Sequence, residues 1–365
     1  ILCVLVPGVL TSCGPQEQPP EPQQLQAEPQ PLSSLETSET QPVEGDWLVS
    51  DLPAEMEHLN PYTSTDVYSS SINGLIFESL LELDNETLEL KPRLAESWEI
   101  SEDKLTYTFK LRHGVKFSDG VPLTAYDVKF SFDKLMDPAT NAPHVRNYYQ
   151  DVKLCEVVDD YMVRFTCDKP YFRHLLVLGS LEVIPEHIYG EGDFNNHPNN
   201  RNPIGSGPYT LERWDTNQQV ILVRNEDHWG EKLPLLRRFL KIITESNVAF
   251  QVLARHELDT MDPLSMTPEL WTTRAATPKF QAEFNRFTYN SPGFGYIGWN
   301  MTRPHFQDKR VRCALTMLLD RQTLLEKLYR GLAQIVTGPF FVEEPEYNEE
   351  IQPWPFDPEG AKRLL

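Results

Sequence analysis

The chain has 365 residues, of which 40% are hydrophobic and 24% are charged, so its composition supports a sizeable folded core. Acidic residues outnumber basic ones by 54 to 33, which gives a formal net charge of −21. Nucleic acid is therefore excluded as an expected partner, because binding it requires clustered Lys and Arg to neutralise phosphates. The charge is uneven: residues 1–90 hold 16 acidic residues and no basic one, whereas the remaining 275 are nearly balanced.

The first 13 residues, ILCVLVPGVLTSC, form an apolar run that is too short to span a bilayer as a helix. The run resembles the apolar part of a secretory signal peptide, which would mark the protein as exported. Its last four residues, Leu10 to Cys13, are similar to the lipobox of bacterial lipoproteins. That resemblance implies a lipid on the thiol of Cys13. The alternative is a plain signal peptide with an unrelated cysteine.

Residues 14–46 contain seven Pro, seven Gln and six Glu and almost no residue that could build a core. Such a composition predicts a disordered linker. A flexible coil of 33 residues spans roughly 30 Å, and more where Pro stiffens it. The sequence therefore predicts a tether that holds a folded body near a membrane surface.

The folded body begins with a mixture of strands and helices. Strict alternation of apolar and polar residues over Leu105–Arg112 predicts a strand with one buried face. Thr124 and Asp127 predict a capping box. In chain order the first predicted elements are a strand at Asp46–Ser50, a helix at Thr63–Leu81 with Thr65 as its N-cap, the strand at Leu105–Arg112 and a helix from Thr124 to Met136.

A hairpin is predicted over residues 151–168, with Asp159 and Asp160 at its turn. This turn would place Cys155 opposite Arg164, three residues short of Cys167 and roughly 10 Å away at the rise of a strand. A disulfide needs Cα atoms within about 7 Å. Both cysteines are therefore expected to be free thiols.

The second half continues the alternation of strands and helices, with no repeat and no coiled-coil heptads. Asp308 and Asp320 are each predicted to cap an amphipathic helix, the second of which ends at Gly331. The other predicted elements are a short helix near 170–178, strands near 207–214 and 218–225, and a helix near 247–255. The residues expected to be buried on the two capped helices are Val311, Ala314, Leu315, Leu318, Leu324, Leu325 and Leu328. The fold class is mixed α/β.

Four stretches, in their order and spacing, resemble the family 5 solute-binding proteins of bacterial ABC importers, which include dipeptide- and oligopeptide-binding proteins. They are Pro92–Trp98 with Leu105–Arg112, Gly114–Gly120 with Leu123–Val128, Pro203–Tyr209, and Asp308–Leu315 with Asp320 and Arg321. The resemblance covers nearly the whole chain after the linker.

This resemblance implies a two-lobed fold of the type II periplasmic-binding-protein kind, with a smaller domain inserted in the first lobe. The implied boundaries are residues 47–77 and 185–288 for lobe I, 78–184 for the inserted domain, and 289–365 for an incomplete lobe II.

The sequence contains no GxSxG, HExxH or CxxC motif. The nine His residues are scattered and predict no metal site, and no cofactor is expected. Gly205–Tyr209 is similar to a phosphate loop only superficially, because it lacks the Lys and Pro208 removes an amide donor. We therefore expect a binding protein and not an enzyme, and a structural role for this glycine motif.

In the family, a peptide lies extended between the lobes and pairs its backbone with strand edges. Core packing is the alternative for Tyr148 and Tyr296. The residues that the resemblance places at the ligand are Thr65, Asp66, Val67, Tyr68, Tyr148 and Tyr296.

The implied role is an exported, lipid-anchored monomer, periplasmic or at the cell surface, that delivers short peptides to an ABC permease. Two alternatives remain open. One is the same fold with a metal chelate, an opine or an oligosaccharide as cargo. The other is a sensor or interaction lipoprotein without a transport role.

Overall fold

The computed structural model describes residues 45–84, 87–230, 234, 236–289, 294–338, 340, 342 and 347–365. Residues 42–286 and 291–365 group into one structural unit, to which all the elements below belong. The predictions for the signal peptide, Cys13 and most of the linker lie outside the described residues.

Ten strands are found among the described residues. They are β1 (Trp47–Leu52), β2 (Leu81–Leu83), β3 (Leu90–Pro92), β4 (Ala95–Ile100), β5 (Thr106–Leu111), β6 (Val152–Asp159), β7 (Met162–Cys167), β8 (Tyr209–Asp215), β9 (Gln219–Arg224) and β10 (Arg237–Ile242).

Twelve α-helices lie in the same described ranges. They are α1 (Val67–Ile76), α2 (Ala125–Met136), α3 (Pro143–Arg146), α4 (His174–Gly179), α5 (Glu186–Tyr189), α6 (Ser246–Leu253), α7 (Pro268–Thr272), α8 (Pro278–Glu283), α9 (Pro304–Gln307), α10 (Lys309–Met317), α11 (Arg321–Lys327) and α12 (Pro358–Leu364).

The strands form one mixed sheet, one antiparallel sheet and one short ribbon. The mixed sheet has the order β1-β10-β9-β8, in which β1 runs parallel to β10 and the other pairs are antiparallel. The antiparallel sheet has the order β4-β5-β7-β6, and β2 pairs with β3. The connection from β1 to β10 therefore contains α1 and both of the other sheets. The fold class is mixed α/β, as predicted, whereas the domain boundaries stay a prediction.

The largest core cluster is built from alternating residues of the antiparallel sheet and from the helix that covers it. Tyr107, Phe109 and Leu111 of β5 point to the same buried face. Phe109 packs edge-on against Phe165 at 5.9 Å between ring centroids, and Phe165 packs against Phe132 of α2 at 5.6 Å. Burying each such side chain contributes roughly 1.5–3 kcal/mol.

The predicted strand at Leu105–Arg112 and the capping box at Thr124 and Asp127 are confirmed by β5 and α2. The prediction for the first helix is wrong at both ends. Asp66, and not Thr65, is its N-cap, because its carboxylate accepts a hydrogen bond from the Ser69 amide at 2.7 Å. The helix ends at Ile76, since the next residue has extended backbone angles.

The hairpin is confirmed, but its predicted register is wrong. Cys155 pairs with Phe165, because Asp159 pairs with Met162, which places the turn at Asp160 and Tyr161, and because an irregularity between Val157 and Asp159 adds one residue to β6. Cys155 and Cys167 are free thiols, as predicted, and both are buried. Burial raises the pKa of Cys155 to about 12 and that of Cys167 to about 11, so neither thiol is a reactive thiolate at neutral pH.

The caps at Asp308 and Asp320 are confirmed, because each side chain accepts a hydrogen bond from a backbone amide in the first turn of its helix. The predicted buried faces are mostly wrong. On α10 only Ala314 and Met317 are buried, and α11 has no buried residue. The reason is that α10 packs mainly against α12. Ala361 of α12 covers only the stripe of α10 that contains Ala314 and Met317. Helix α11 ends at Lys327, before the predicted Gly331.

Candidate functional site

The predicted ligand-lining segment forms the start of α1. Thr65 is exposed, and the side chain of Val67 is 51% exposed. Between them, Asp66 is held by the Ser69 amide and hydroxyl, while Tyr68 is half-buried against the core. The segment therefore presents Thr65 and Val67 to solvent on a fixed backbone. Contact of these residues with a ligand stays a prediction.

Polar groups surround this exposed turn. The Thr65 hydroxyl donates to the Glu57 carboxylate at 3.4 Å, and the Glu57 amide donates to Asp66 at 3.3 Å. The first-turn amides of a helix have no intrahelical acceptor. The start of α1 thus combines hydroxyl, carboxylate and amide groups, which can bind the main chain of an extended peptide.

Sequence reasoning missed the residues beneath this turn. Asn60 is 1% exposed, and its side chain accepts from the amides of Tyr62 and Thr63 at 3.0 and 3.3 Å. The only sequence signal was the turn-forming dipeptide Asn60-Pro61. A second buried amide, Asn200, bonds Asn60 from 140 residues away in sequence, and nothing local indicates that pairing.

The glycine motif at Pro203–Tyr209 lies against the other end of α1. The Gly207 amide donates to the Ile76 carbonyl at 2.8 Å, and the Ser118 amide donates to the Gly205 carbonyl at 2.9 Å. A Cβ atom added to Gly207 would lie 2.5 Å from the Leu75 carbonyl oxygen. The motif thus positions a helix, which supports the predicted structural role.

A buried ion-pair network follows α1. The Glu78 side chain is 1% exposed and accepts hydrogen bonds from His228 at 3.1 Å, Trp229 at 2.8 Å and Arg93 at 3.1 Å. Burial alone would raise the pKa of Glu78, but the hydrogen bonds and the charge of Arg93 bring the pKa below its usual value. Glu78 is therefore an anion that the fold stabilises.

Glu182 behaves in the opposite way. Its backbone carbonyl accepts a hydrogen bond from the Tyr62 hydroxyl. Burial raises the pKa of the Glu182 carboxyl to about 7. The folded protein therefore retains a proton that the unfolded chain releases near pH 4.5.

We expect Glu182→Gln to stabilise the protein above pH 7 and to have little effect near pH 4. Below about pH 4.5 the carboxyl is protonated in both states, and between about 4.5 and 7 rising pH destabilises the fold. Because the residue is partly exposed, the expected gain is about 1–3 kcal/mol. Urea unfolding above pH 7 and near pH 4 measures the change in the free energy of unfolding. Glu212→Gln, at an exposed position, is the control. An equal gain for Glu182→Gln at both pH values would contradict the assignment.

Tyr148 and Tyr296 are 68% and 80% exposed, so neither packs into the core formed by the described residues. Tyr148 lies in a 3₁₀ turn at Asn147–Tyr149. The Tyr296 ring lies 5.9 Å from the ring of Phe294. The two tyrosines lie on chain segments separate from the start of α1, and their contact with a ligand stays a prediction.

The surface depressions of the described residues lie away from the predicted ligand residues. Two depressions of about 480 and 510 Å³ lie on the antiparallel sheet and include none of the six predicted ligand residues. Within the described ranges, no three His, Cys, Asp or Glu side chains are grouped as a metal site. No helix found there is long and apolar enough to cross a bilayer.

The mixed sheet, in which a long connection joins the two parallel strands, and the similarity to solved relatives assign the chain to the type II periplasmic-binding-protein fold. Residues 89–365 match the family model of bacterial extracellular solute-binding proteins, family 5. The chain belongs to this family, whose members are binding proteins and not enzymes.

Curated relatives include glutathione-binding proteins of enterobacteria. The protein from Salmonella typhimurium is 30% identical over 319 residues, which cover 84% of this chain and 58% of the relative. The protein from Escherichia coli O1:K1 is 30% identical over 317 residues with the same coverage. This chain therefore spans less than two thirds of the length of these relatives.

Solved structures show the same fold with different ligands. The oligopeptide-binding protein AppA of Bacillus subtilis, in complex with a nonapeptide, is 28% identical with a TM-score of 0.77, over 89% of this chain and 64% of that one. DppA of Helicobacter pylori, with the peptide STSA, is 27% identical with a TM-score of 0.74, over 88% and 66%. NikZ of Campylobacter jejuni, with Ni(L-His), is 27% identical with a TM-score of 0.71, over 87% and 62%.

Proposed function

We propose that this protein is the substrate-binding component of an ABC importer, which captures short peptides between two hinged lobes and delivers them to a membrane permease. The observation that carries the proposal is the family match over residues 89–365. Solved relatives with bound peptides and glutathione-binding curated relatives support a peptide cargo. The residues proposed to contact the cargo are Thr65, Asp66, Val67, Tyr68, Tyr148 and Tyr296.

The proposal includes export and a lipid anchor at Cys13, followed by the linker of residues 14–46. The Pro-, Gln- and Glu-rich composition of the linker supports this arrangement, because it keeps the folded body free of the anchor. In this role the protein acts as a monomer at the outer side of a membrane.

A metal chelate is the second candidate cargo, because NikZ carries Ni(L-His) on the same fold. A binding screen of the protein expressed from its complete gene separates the two candidates. Reduced glutathione, peptides of two to five residues and Ni(L-His) are compared by thermal shift. A cargo present at 100 times its Kd should stabilise the protein by about 2.7 kcal/mol. Stabilisation by Ni(L-His) alone would replace the peptide assignment, and stabilisation by none would remove the import role.

We expect Val67→Trp to weaken peptide binding at least about tenfold, because a bulky ring at this exposed position blocks the peptide from the start of α1. Val248→Trp is the matched control, since Val248 is 47% exposed in the first turn of α6. Isothermal titration with the tightest peptide of the screen measures both affinities. Equal affinities in the two variants would show that the peptide does not contact Val67.

A further inference from the structure

The segment at residues 60–66, which leads into α1, is buried without being a helix or a strand. Asn60, Tyr62, Thr63 and Ser64 are each no more than 5% exposed. Buried backbone amides and carbonyls require hydrogen-bond partners, and here regular secondary structure supplies none of them. Side chains must therefore fix the path of this segment.

Asn60 fixes the first part of that path. Its side-chain oxygen accepts from the amides of Tyr62 at 3.0 Å and Thr63 at 3.3 Å. Its backbone carbonyl accepts from the Ser64 amide at 3.1 Å and the Ser64 hydroxyl at 2.7 Å. This turn, organised by an asparagine side chain, determines where the backbone reaches Thr65.

Asn200 in turn fixes Asn60. The Asn60 amide group donates to the Asn200 side-chain oxygen at 3.0 Å, and the Leu59 amide donates to the Asn200 carbonyl at 2.7 Å. The Asn200 amide group donates to the carbonyls of Phe194 and Asn195 at 3.4 and 3.1 Å. The polar loop at residues 190–202 is thereby joined to the 60–66 segment.

Helix α1 contacts the same segment from its own buried face. The Asn73 side chain, which is 1% exposed, donates to the Ser64 hydroxyl at 3.3 Å. The 60–66 segment is thus held between Asn200 on one side and α1 on the other. Its exposed end, Thr65, and the following Val67 are the groups assigned to the ligand.

We infer that Asn60 and Asn200 are positioning residues for ligand binding, and that their paired amides hold the 60–66 segment so that Thr65 and Val67 face the cargo. The inference rests on the proposed function, because it takes the start of α1 as the ligand contact. It gives the polar loop at 190–202 a role, since that loop carries Asn200.

The first test needs no ligand. Hydrogen exchange of the protein expressed from its complete gene is compared with that of Asn200→Ala and Asn225→Ala. Asn225 is a matched control, because it is 7% exposed and bonds Gly207 at the opposite end of α1, about 15 Å away. We expect amides in residues 59–64 to exchange at least about tenfold faster in Asn200→Ala only.

The second test measures binding of reduced glutathione and of Ala-Ala-Ala by isothermal titration. We expect Asn200→Ala to lose about tenfold in affinity while Asn225→Ala stays within about twofold, at similar losses of melting temperature. Asn200→Ser provides a second variant if the Ala variant does not fold.

The double variant Asn60→Ala/Asn200→Ala should lose no more affinity than the larger single loss, because the Asn200 side chain reaches the 60–66 segment through the Asn60 side chain.

The outcomes separate this inference from the proposed function. Unchanged exchange in residues 59–64, or equal affinity losses in Asn200→Ala and Asn225→Ala, overturns the positioning role. If the unaltered protein binds neither probe, the peptide assignment fails, and the exchange result alone then decides whether the asparagine pair fixes the segment.

Discussion

Replacing Glu78 by Ala should lower the free energy of unfolding by about 3–5 kcal/mol. The carboxylate is 1% exposed and is the shared acceptor of His228, Trp229 and Arg93. Removing it leaves the Arg93 guanidinium without its buried partner and leaves two ring N–H groups without an acceptor. Losing one member of a buried charged network costs more than the network itself contributes.

The matched control is Glu82→Ala, which removes the other carboxylate bonded to Arg93. Glu82 is 46% exposed, so its loss should cost no more than about 1 kcal/mol. The pKa of Glu78 lies below its usual value, so the stabilisation is present above about pH 4.5 and is lost as the pH falls further. Urea unfolding at neutral and acidic pH measures both effects. Similar losses in the two variants would contradict the role of the buried network.

The sequence predicts features that depend on neighbouring residues. The capping box of Thr124 and Asp127 forms within three residues, and the helix caps at Asp308 and Asp320 are equally local. The alternation that predicts β5 also depends only on adjacent positions. These predictions hold because the hydrogen bonds or burial patterns involved need no distant partner.

Features that depend on distant partners were not predicted. The register of the β6–β7 hairpin differs because the turn lies one residue further along the chain and β6 carries an extra residue, neither of which the two adjacent aspartates reveal. Leu324 and Leu328 have the spacing of a buried face but are 39% and 60% exposed, since burial depends on which element covers a helix. Asn60 and Asn200 meet only because the chain returns after 140 residues.

The resemblance to a family placed the candidate site where residue patterns alone did not. Thr65 and Val67 are ordinary residues at a helix start, and only the resemblance assigns them to a ligand. The structure adds that both are exposed, on a backbone held by Asp66. It also shows that the residues holding this site are fully buried and polar, which composition cannot reveal.

The position of α1 also depends on two glycines. Gly207 donates to the carbonyl of Ile76, and an added Cβ would lie 2.5 Å from the Leu75 oxygen and 2.6 Å from the Ile76 oxygen. At Gly205 an added Cβ would overlap the Ile76 carbonyl oxygen. These neighbours are backbone atoms, which cannot move aside as a flexible side chain can.

We therefore expect Gly207→Ala to lower the free energy of unfolding by about 2–4 kcal/mol, because the α1 end must move away from the glycine motif. Gly74→Ala is the matched control: it lies exposed within α1 with no atom within 4 Å of an added Cβ, so it should stabilise by about 0.5–1 kcal/mol. Urea unfolding gives both values. Unchanged stability in Gly207→Ala would show that the close approach is not required.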